Sequence, residues 1–410
     1  MVFLTRLTPG KWWPLLACVL LALLSRATFA VPEDAPEVTE STPPTLWQVG
    51  PEREFQRPSD VAKLARDGDT IEIDAGTYQN DYATWTQDQL TIRGVGGMAH
   101  MQSRGLIPNG KAIWIMAGGD AYIENVEFSG ATVVDTNGAG IRHESGNLRL
   151  HNTYFHQNEF SVLTGGQPGS KLEITDSRFW FQRRATRFSH GIYVGELDRF
   201  SITGSHFKGT DRGHQIKSRA LENHILYNRI EDVPQGNSSR LIDLPNCGLS
   251  IIMGNDLHQA ATTHNVDAIG FGAEGCNDRK ERELKLYVIN NTFINEASSG
   301  SLARNHSGAT ALVANNHIVG RGFHLLGNGV KQNNVRSSIA RWKRGVWTPQ
   351  ARSKAVDGSK PLLPVEGRLL IPTKVFNPPV GSTARPVQDE LDIGSRDYLA
   401  SSGAADTSEP

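Results

Sequence analysis

Between Tyr122 and Ile318 one short phrase recurs, in which apolar and polar residues alternate and close on a large apolar side chain. The phrases are YIENVEF ending at Phe128, LRLHNTYF at Phe155, LEITDSRF at Phe179, FSITGSHF at Phe207, HILYNRI at Ile230, SIIMGNDL at Leu257, LYVINNTF at Phe293 and ALVANNHI at Ile318. Successive closing residues lie 27, 24, 28, 23, 27, 36 and 25 positions apart. Alternation with a period of two predicts strands. Asn, Asp, Ser or Gly two or three places before the closing residue predicts a tight turn between two of them. Asn125, Asn152, Asn228, Asn255, Asn291 and Asn316 fill these turn positions. A short amide tolerates the left-handed backbone there and can bond to neighbouring main chain, so stacked turns would form an asparagine ladder. One such unit cannot bury its own apolar face and must stack on the next, with strands about 4.8 Å apart. The expected fold is all-β, a right-handed parallel β-helix. Leucine-rich repeats need tighter leucine spacing, and propeller blades need four antiparallel strands per repeat.

The stretches GDTIEIDAGTY (68–78) and LTIRGVGG (90–97) read as opening coils. Ahead of them, Pro58, Ser59 and Asp60 begin a short helical pattern with Val61 and Leu64 on one face and Ser59 or Asp60 as its cap. A helix there would cover the open end of the coil, otherwise an exposed strand edge. After Val335 the repeat fades, and from Pro349 the chain is rich in Pro, Ser and Gly. The expected organisation is a signal peptide over 1–30, a linker over 31–46, the solenoid over 47–340, and an extended wrap with a disordered tail over 341–410.

Glycine at 41 of 410 residues and a hydrophobic content of 38% disfavour a helical bundle. The N-terminus carries Arg6 and Lys11, an apolar run from Pro14 to Leu24, and small residues up to Ala30, the layout of a secretory signal. The run breaks at Ser25 and Arg26, short of the about 20 residues that span a bilayer. Cys18 does not suit a lipid-attachment site, because most of the run follows it. A periplasmic or secreted location, with no membrane span in the mature chain, is therefore expected. Loss of Arg6, Lys11 and Arg26 from 42 basic residues leaves the mature chain slightly acidic against 43 carboxylates, so nothing recruits nucleic acid. In an oxidising compartment Cys247 and Cys276 suit a disulfide better than a metal site. The chain is expected to be a monomer.

The GDTIEIDAGTY opening, the LTIRG coil and the repeated N-x-F phrases resemble the pectin-lyase-like superfamily, over roughly Trp47 to Val335. The resemblance implies the β-helix and a carbohydrate substrate. It does not select a reaction, since the superfamily includes lyases, hydrolases, epimerases, esterases, phage tailspikes and adhesins.

A second register follows from Ile141, Ile192, Ile216 and Ile242, which precede the next closing residue by 14, 15, 14 and 15 positions. Ile269 matches them in pattern, while the coil containing Val162 is ambiguous. With these residues inward, Arg142, Tyr193, Lys217, Asp243 and Gly270 point outward. Two residues further come Glu144, Gly195, Arg219, Pro245 and Gly272. The preceding row holds Gly140, Gly191 and Gln215, and the glycines are expected to leave room for a ligand. The phrases SHGIYV and GHQIKSR stack His190 near His214 and Tyr193 near Lys217. The plainer alternative is that long polar side chains merely solvate the strand and that both histidines close turns on the backbone.

Removing the weakly acidic proton beside a uronate carboxylate requires a base and neutralisation of the carboxylate charge. Lys217 is the expected base, His214 or Tyr193 the alternative base or the acid, and Arg219 with Arg142 the clamps. His190 completes the catalytic group, while Arg142, Glu144, Gln215 and Asp243 are expected to bind substrate. The pairing resembles the Lys and Arg pairs of β-helix lyases. Glu144, Asp243, Asp267 and Glu274 are the oxygen donors for Ca²⁺, but no dense acidic run joins them. The Asp-Pro-His motif of alginate epimerases and the neighbouring aspartates of polygalacturonases are both absent. A lyase acting on an anionic polysaccharide is therefore the leading expectation. A hydrolase, an epimerase, and a noncatalytic scaffold for a polymer are the alternatives.

Overall fold

The computed structural model describes residues 43–181, 189–234, 236–276, 282–364 and 367–399. The expected signal peptide, all but the end of the linker, and the chain beyond residue 399 lie outside the described residues. Among the described residues, no helix is long and apolar enough to cross a membrane.

Each coil contributes three short strands, as in Lys171–Thr175, Arg178–Trp180 and Ile192–Val194. Equivalent strands of successive coils pair in parallel, so three ladders run along a right-handed solenoid. The closing residues form the core of the second ladder. Met101, Phe128, Phe155, Phe179, Phe207, Ile230, Leu257, Phe293 and Ile318 pair in sequence order and are fully buried. Phe128, Phe155, Phe179 and Phe207 stack with ring centroids 5.1, 5.3 and 4.5 Å apart. The 36-residue interval does not break this column, because Leu257 still pairs with Phe293. Its extra residues fall after the strand Asp267–Phe271, in the connection that contains Glu274 and Cys276.

The isoleucine register also holds. Trp114, Ile141, Val162, Ile192, Ile216, Ile242, Ile269, Ala303 and Leu325 form one buried column of the third ladder. Val162 takes the place between Ile141 and Ile192, which resolves its coil.

The six turn asparagines divide between two columns rather than forming one. Asn125 and Asn152 have positive φ, as do Asp176, Gly204, Tyr227, Gly254, Asn290 and Asn315 at the same turn position. Asn228, Asn255, Asn291 and Asn316 stand one residue later and are buried. Their side-chain amides donate to the next oxygen at 3.1, 2.9 and 3.0 Å, and Asn316 continues to Asn334 at 2.9 Å. Each oxygen also accepts the backbone N–H of the preceding coil's asparagine. Toward the N-terminus hydroxyls replace the amides: Ser205 N–H donates to Asn228, Ser177 N–H to Ser205 and Thr153 N–H to Ser177. Closing-residue spacing alone cannot separate columns that differ by one position.

Helix α1 spans Pro58–Ala62. Neither Ser59 nor Asp60 caps it. The cap position is Arg57 without a side-chain bond, Pro58 occupies the first turn, and the free N–H of Ser59 donates to Asp81 Oδ2 at 3.1 Å. Val61 is buried, but Leu64 lies past the helix and is exposed.

After the last coil the chain returns along the outside of the solenoid: Leu362 and Leu370 pack on Ile251, Met253 and Ile289 of the first ladder, while Trp347, Phe376, Ser395 and Arg396 lie on the second. Trp347 lies against Ile294 and Val319. Lys374–Phe376 pairs antiparallel with Ser382–Ala384, and Phe376 covers Arg229 and His206. Arg396 and Ser395 both bond Asp256, which Arg229 also reaches.

Candidate functional site

The outer column of the third ladder reads Ile115, Arg142, Leu163, Tyr193, Lys217, Asp243, Gly270 and Arg304. Tyr193, Lys217 and Asp243 are thus immediate neighbours, one strand spacing apart. Leu163 separates Arg142 from Tyr193, so Arg142 does not join the expected cluster. Arg142 Nε bonds Glu144 Oε1 at 3.1 Å, and Lys111 Nζ reaches the same oxygen at 3.1 Å. Burial raises the Glu144 pKa, but these two cations outweigh it and leave a net lowering.

The centre of the cluster is a fork of cations. Lys217 Nζ and Arg219 Nη2 each donate to one oxygen of Glu274, both at 2.7 Å. Arg219 Nε donates to Tyr193 Oη at 2.8 Å, and Arg219 Nη1 bonds Asn246. The Tyr193 ring lies beneath both cations, 6.0 Å from Lys217 Nζ and 5.7 Å from the Arg219 guanidinium. Glu274 remains 46% exposed, whereas the Lys217 side chain is 12% exposed. Burial raises the Glu274 pKa, but its bonds to Lys217 and Arg219 prevail and lower it. Its loop is tied to the solenoid by the Cys247–Cys276 disulfide and by Asn246 Nδ2 donating to Gly275 O at 3.0 Å.

His190 and His214 stack face to face at 5.0 Å. His190 Nδ1 accepts the His214 N–H at 2.9 Å, and His214 Nδ1 accepts the Arg240 N–H at 3.1 Å. These bonds fix the ring tautomers, leaving Nε2 as the proton-bearing atom of each neutral ring. His214 Nε2 stands 3.5 Å from Asp243 Oδ2. Burial, assisted by each histidine's cationic neighbours, lowers both pKa values, that of His214 to about 3.

Asp243 is buried, with Arg240 Nη1 at 2.8 Å and Lys217 Nζ at 3.9 Å. Burial raises its pKa despite these cations. Gln215 does not face solvent. It is buried, accepting from Thr210 at 2.5 Å and donating to Glu231 O at 3.3 Å.

Nor do the glycines leave room for a ligand. A Cβ at Gly191 would lie 2.4 Å from Gln215 O, and one at Gly140 2.8 Å from the Phe155 ring. At Gly270 it would strike the Arg240 side chain at 2.5 Å. The glycines permit close backbone approach and, at Gly270, the passage of Arg240 across the strand. Arg240 and Asn246 escaped the sequence reading. Arg240 lies two residues before Ile242, so alternation alone does not aim it at Asp243.

The four carboxylates suggested for calcium do not converge. Glu144 is held by Lys111 and Arg142, Asp243 by Arg240, Asp267 by Arg304, and Glu274 by Lys217 and Arg219. Among the described residues, the group that brings metal-ligating atoms together is His100, Glu127 and His156, on the second ladder.

No family model matches the chain, and no curated protein matches it. Similar solved structures include Geobacillus virus E2 ORF18, at 15% identity over 67% of this chain and 53% of that one, with a TM-score of 0.41. Pectate lyase Pel9A matches at 12% identity over 86% of this chain and 96% of its own, with a TM-score of 0.41. The A-module of Azotobacter vinelandii mannuronan C-5 epimerase AlgE6 matches at 12% identity over 68% and 93%, with a TM-score of 0.32. The chain spans about half the length of the first of these. The chain is a right-handed parallel β-solenoid. At these identities the likeness concerns the fold alone, and the fold itself rests on the strand pairing above.

Proposed function

We propose that the chain is an exported carbohydrate-active protein that cleaves an anionic, uronate-containing polysaccharide by β-elimination on the outer face of its third ladder. One observation carries this reading: Lys217 and Arg219 close as a fork on a single carboxylate, that of Glu274, with the Tyr193 oxygen bonded to the same Arg219. A uronate carboxylate has the same charge and geometry, and two cations on it would stabilise the enolate-like charge that builds when the adjacent proton leaves. In the reaction the C5–H proton passes to a base, the C4–O bond breaks with its electron pair going to oxygen, and a C4=C5 double bond forms. An acid then protonates the leaving oxygen.

In this reading Lys217 and Arg219 neutralise the carboxylate, and Tyr193 is the proton-transfer group beside them. His190 and His214 are positioning residues, their Nδ1 atoms being engaged by backbone N–H groups. Arg142 lies two strand spacings from Tyr193, about 9.6 Å along the axis, where it would meet a neighbouring sugar of a polymer laid along the ladder.

The test is a panel of acidic polysaccharides assayed for ultraviolet-absorbing unsaturated products, with Tyr193→Phe, Lys217→Arg and Lys217→Ala beside wild type. A clamp at Lys217 predicts that Lys217→Arg keeps most of the activity that Lys217→Ala loses, while a base at Lys217 predicts loss in both. Reducing ends without unsaturation would replace the lyase by a hydrolase. Binding without any product would leave a scaffold.

A further inference from the structure

The outer face of the second ladder carries a different chemistry. His100, Glu127 and His156 come from three consecutive coils. His100 pairs with Glu127, Glu127 pairs with Tyr154, and His156 follows Tyr154 by two residues. Alternate strand residues share a face, and since Met101, Phe128 and Phe155 point into the core, all three point outward. His156 Nε2 lies 2.7 Å from Glu127 Oε1, and His100 Nε2 lies 3.5 Å from the same oxygen. One donor atom from each residue lies within 4.8 Å of the others. Ser129 Oγ adjoins them, 2.7 Å from His100 Nε2.

We propose that His100, Glu127 and His156 form a binding site for a divalent transition-metal ion, with Zn²⁺ the ion that suits the donor set. Two imidazole nitrogens and one carboxylate match zinc, whereas calcium and magnesium prefer oxygen donors throughout. Zinc binds nitrogen and oxygen at about 2.0–2.2 Å, so donors around a tetrahedral ion stand roughly 3.3–3.6 Å apart. The 3.5 Å contact already has that span, and the 2.7 Å contact needs to open by less than about 1 Å. Three protein ligands leave a fourth position for water or the Ser129 hydroxyl. The competing arrangement is a carboxylate that only hydrogen-bonds His156, with His100 bonded to Ser129.

The untagged chain, stripped with chelator and then dialysed against Zn²⁺ or Co²⁺, provides the test. Elemental analysis is expected to give one ion per chain, and the Co²⁺ form should develop a visible d–d absorption band. His100→Ala and His156→Ala should each weaken binding tenfold or more by titration calorimetry. The near-isosteric Glu127→Gln should also weaken it with unchanged circular dichroism, while Lys217→Ala on the third ladder should bind as wild type does. A substoichiometric ion in wild type, or equal binding in Glu127→Gln and both histidine variants, overturns the proposal.

Discussion

Glu274 Oε1 accepts a hydrogen bond from Lys217 Nζ at 2.7 Å across 57 residues of chain. The same carboxylate binds Arg219, so one residue on a disulfide-anchored loop occupies the cationic fork that would receive a substrate acid.

Glu274→Ala should therefore free both cations. Affinity for oligogalacturonate or oligoalginate, whichever the wild type binds, is expected to rise several-fold by titration calorimetry and to become more sensitive to salt. Because Glu274 is half exposed, its pairs contribute at most about 1 kcal/mol to stability, and denaturant unfolding should move little. A fall in affinity would mean that Glu274 holds the fork in shape for the substrate rather than standing in its place.

The two asparagine columns should respond differently to mutation. Asn255→Ala leaves the Asn228 N–H and the Ile225 carbonyl without their buried partner, at a cost of about 2–3 kcal/mol. Asn152→Gly, at a φ of 45°, should stay within about 0.5 kcal/mol, since glycine suits the left-handed region. Urea midpoints at unchanged m-value compare them directly. Equal losses would contradict the split.

Acid should begin to destabilise the fold well above the carboxylate range. Burial, then Lys217 and Arg240, lowers the His214 pKa from an ordinary 6.5 to about 3. The folded state thus binds fewer protons than the unfolded state between those values. The stability from neutral His214 is complete above about pH 6.5 and is lost as pH falls toward about 3. In His214→Asn the side-chain oxygen can still accept the Arg240 N–H, but the group no longer titrates. Melting temperatures measured between pH 7 and 4 should fall less steeply for this variant than for wild type. An unchanged slope would remove His214 from the acid response.

Much of this protein was written in its sequence. The columns headed by Phe128 and Ile141 were legible because a repeat fixes the coil length, alternation fixes the face, and both signals are local. The stacking of His190 on His214 and of Tyr193 on Lys217 followed from the same register. What the register could not decide was the partner of each charge. It put Gln215 outside, where the fold buries it against Thr210, and it grouped Arg142 with Tyr193, where Leu163 intervenes and Glu144, shared with Lys111, takes Arg142 instead. Arg240 crossing Gly270 to reach Asp243, Glu274 folding back on Lys217, and the meeting of His100, Glu127 and His156 depend on loop paths and side-chain reach. Those are settled by packing across coils, because a side chain of several ångströms can choose among partners on two or three strands, while alternation along the chain states only which side it leaves from.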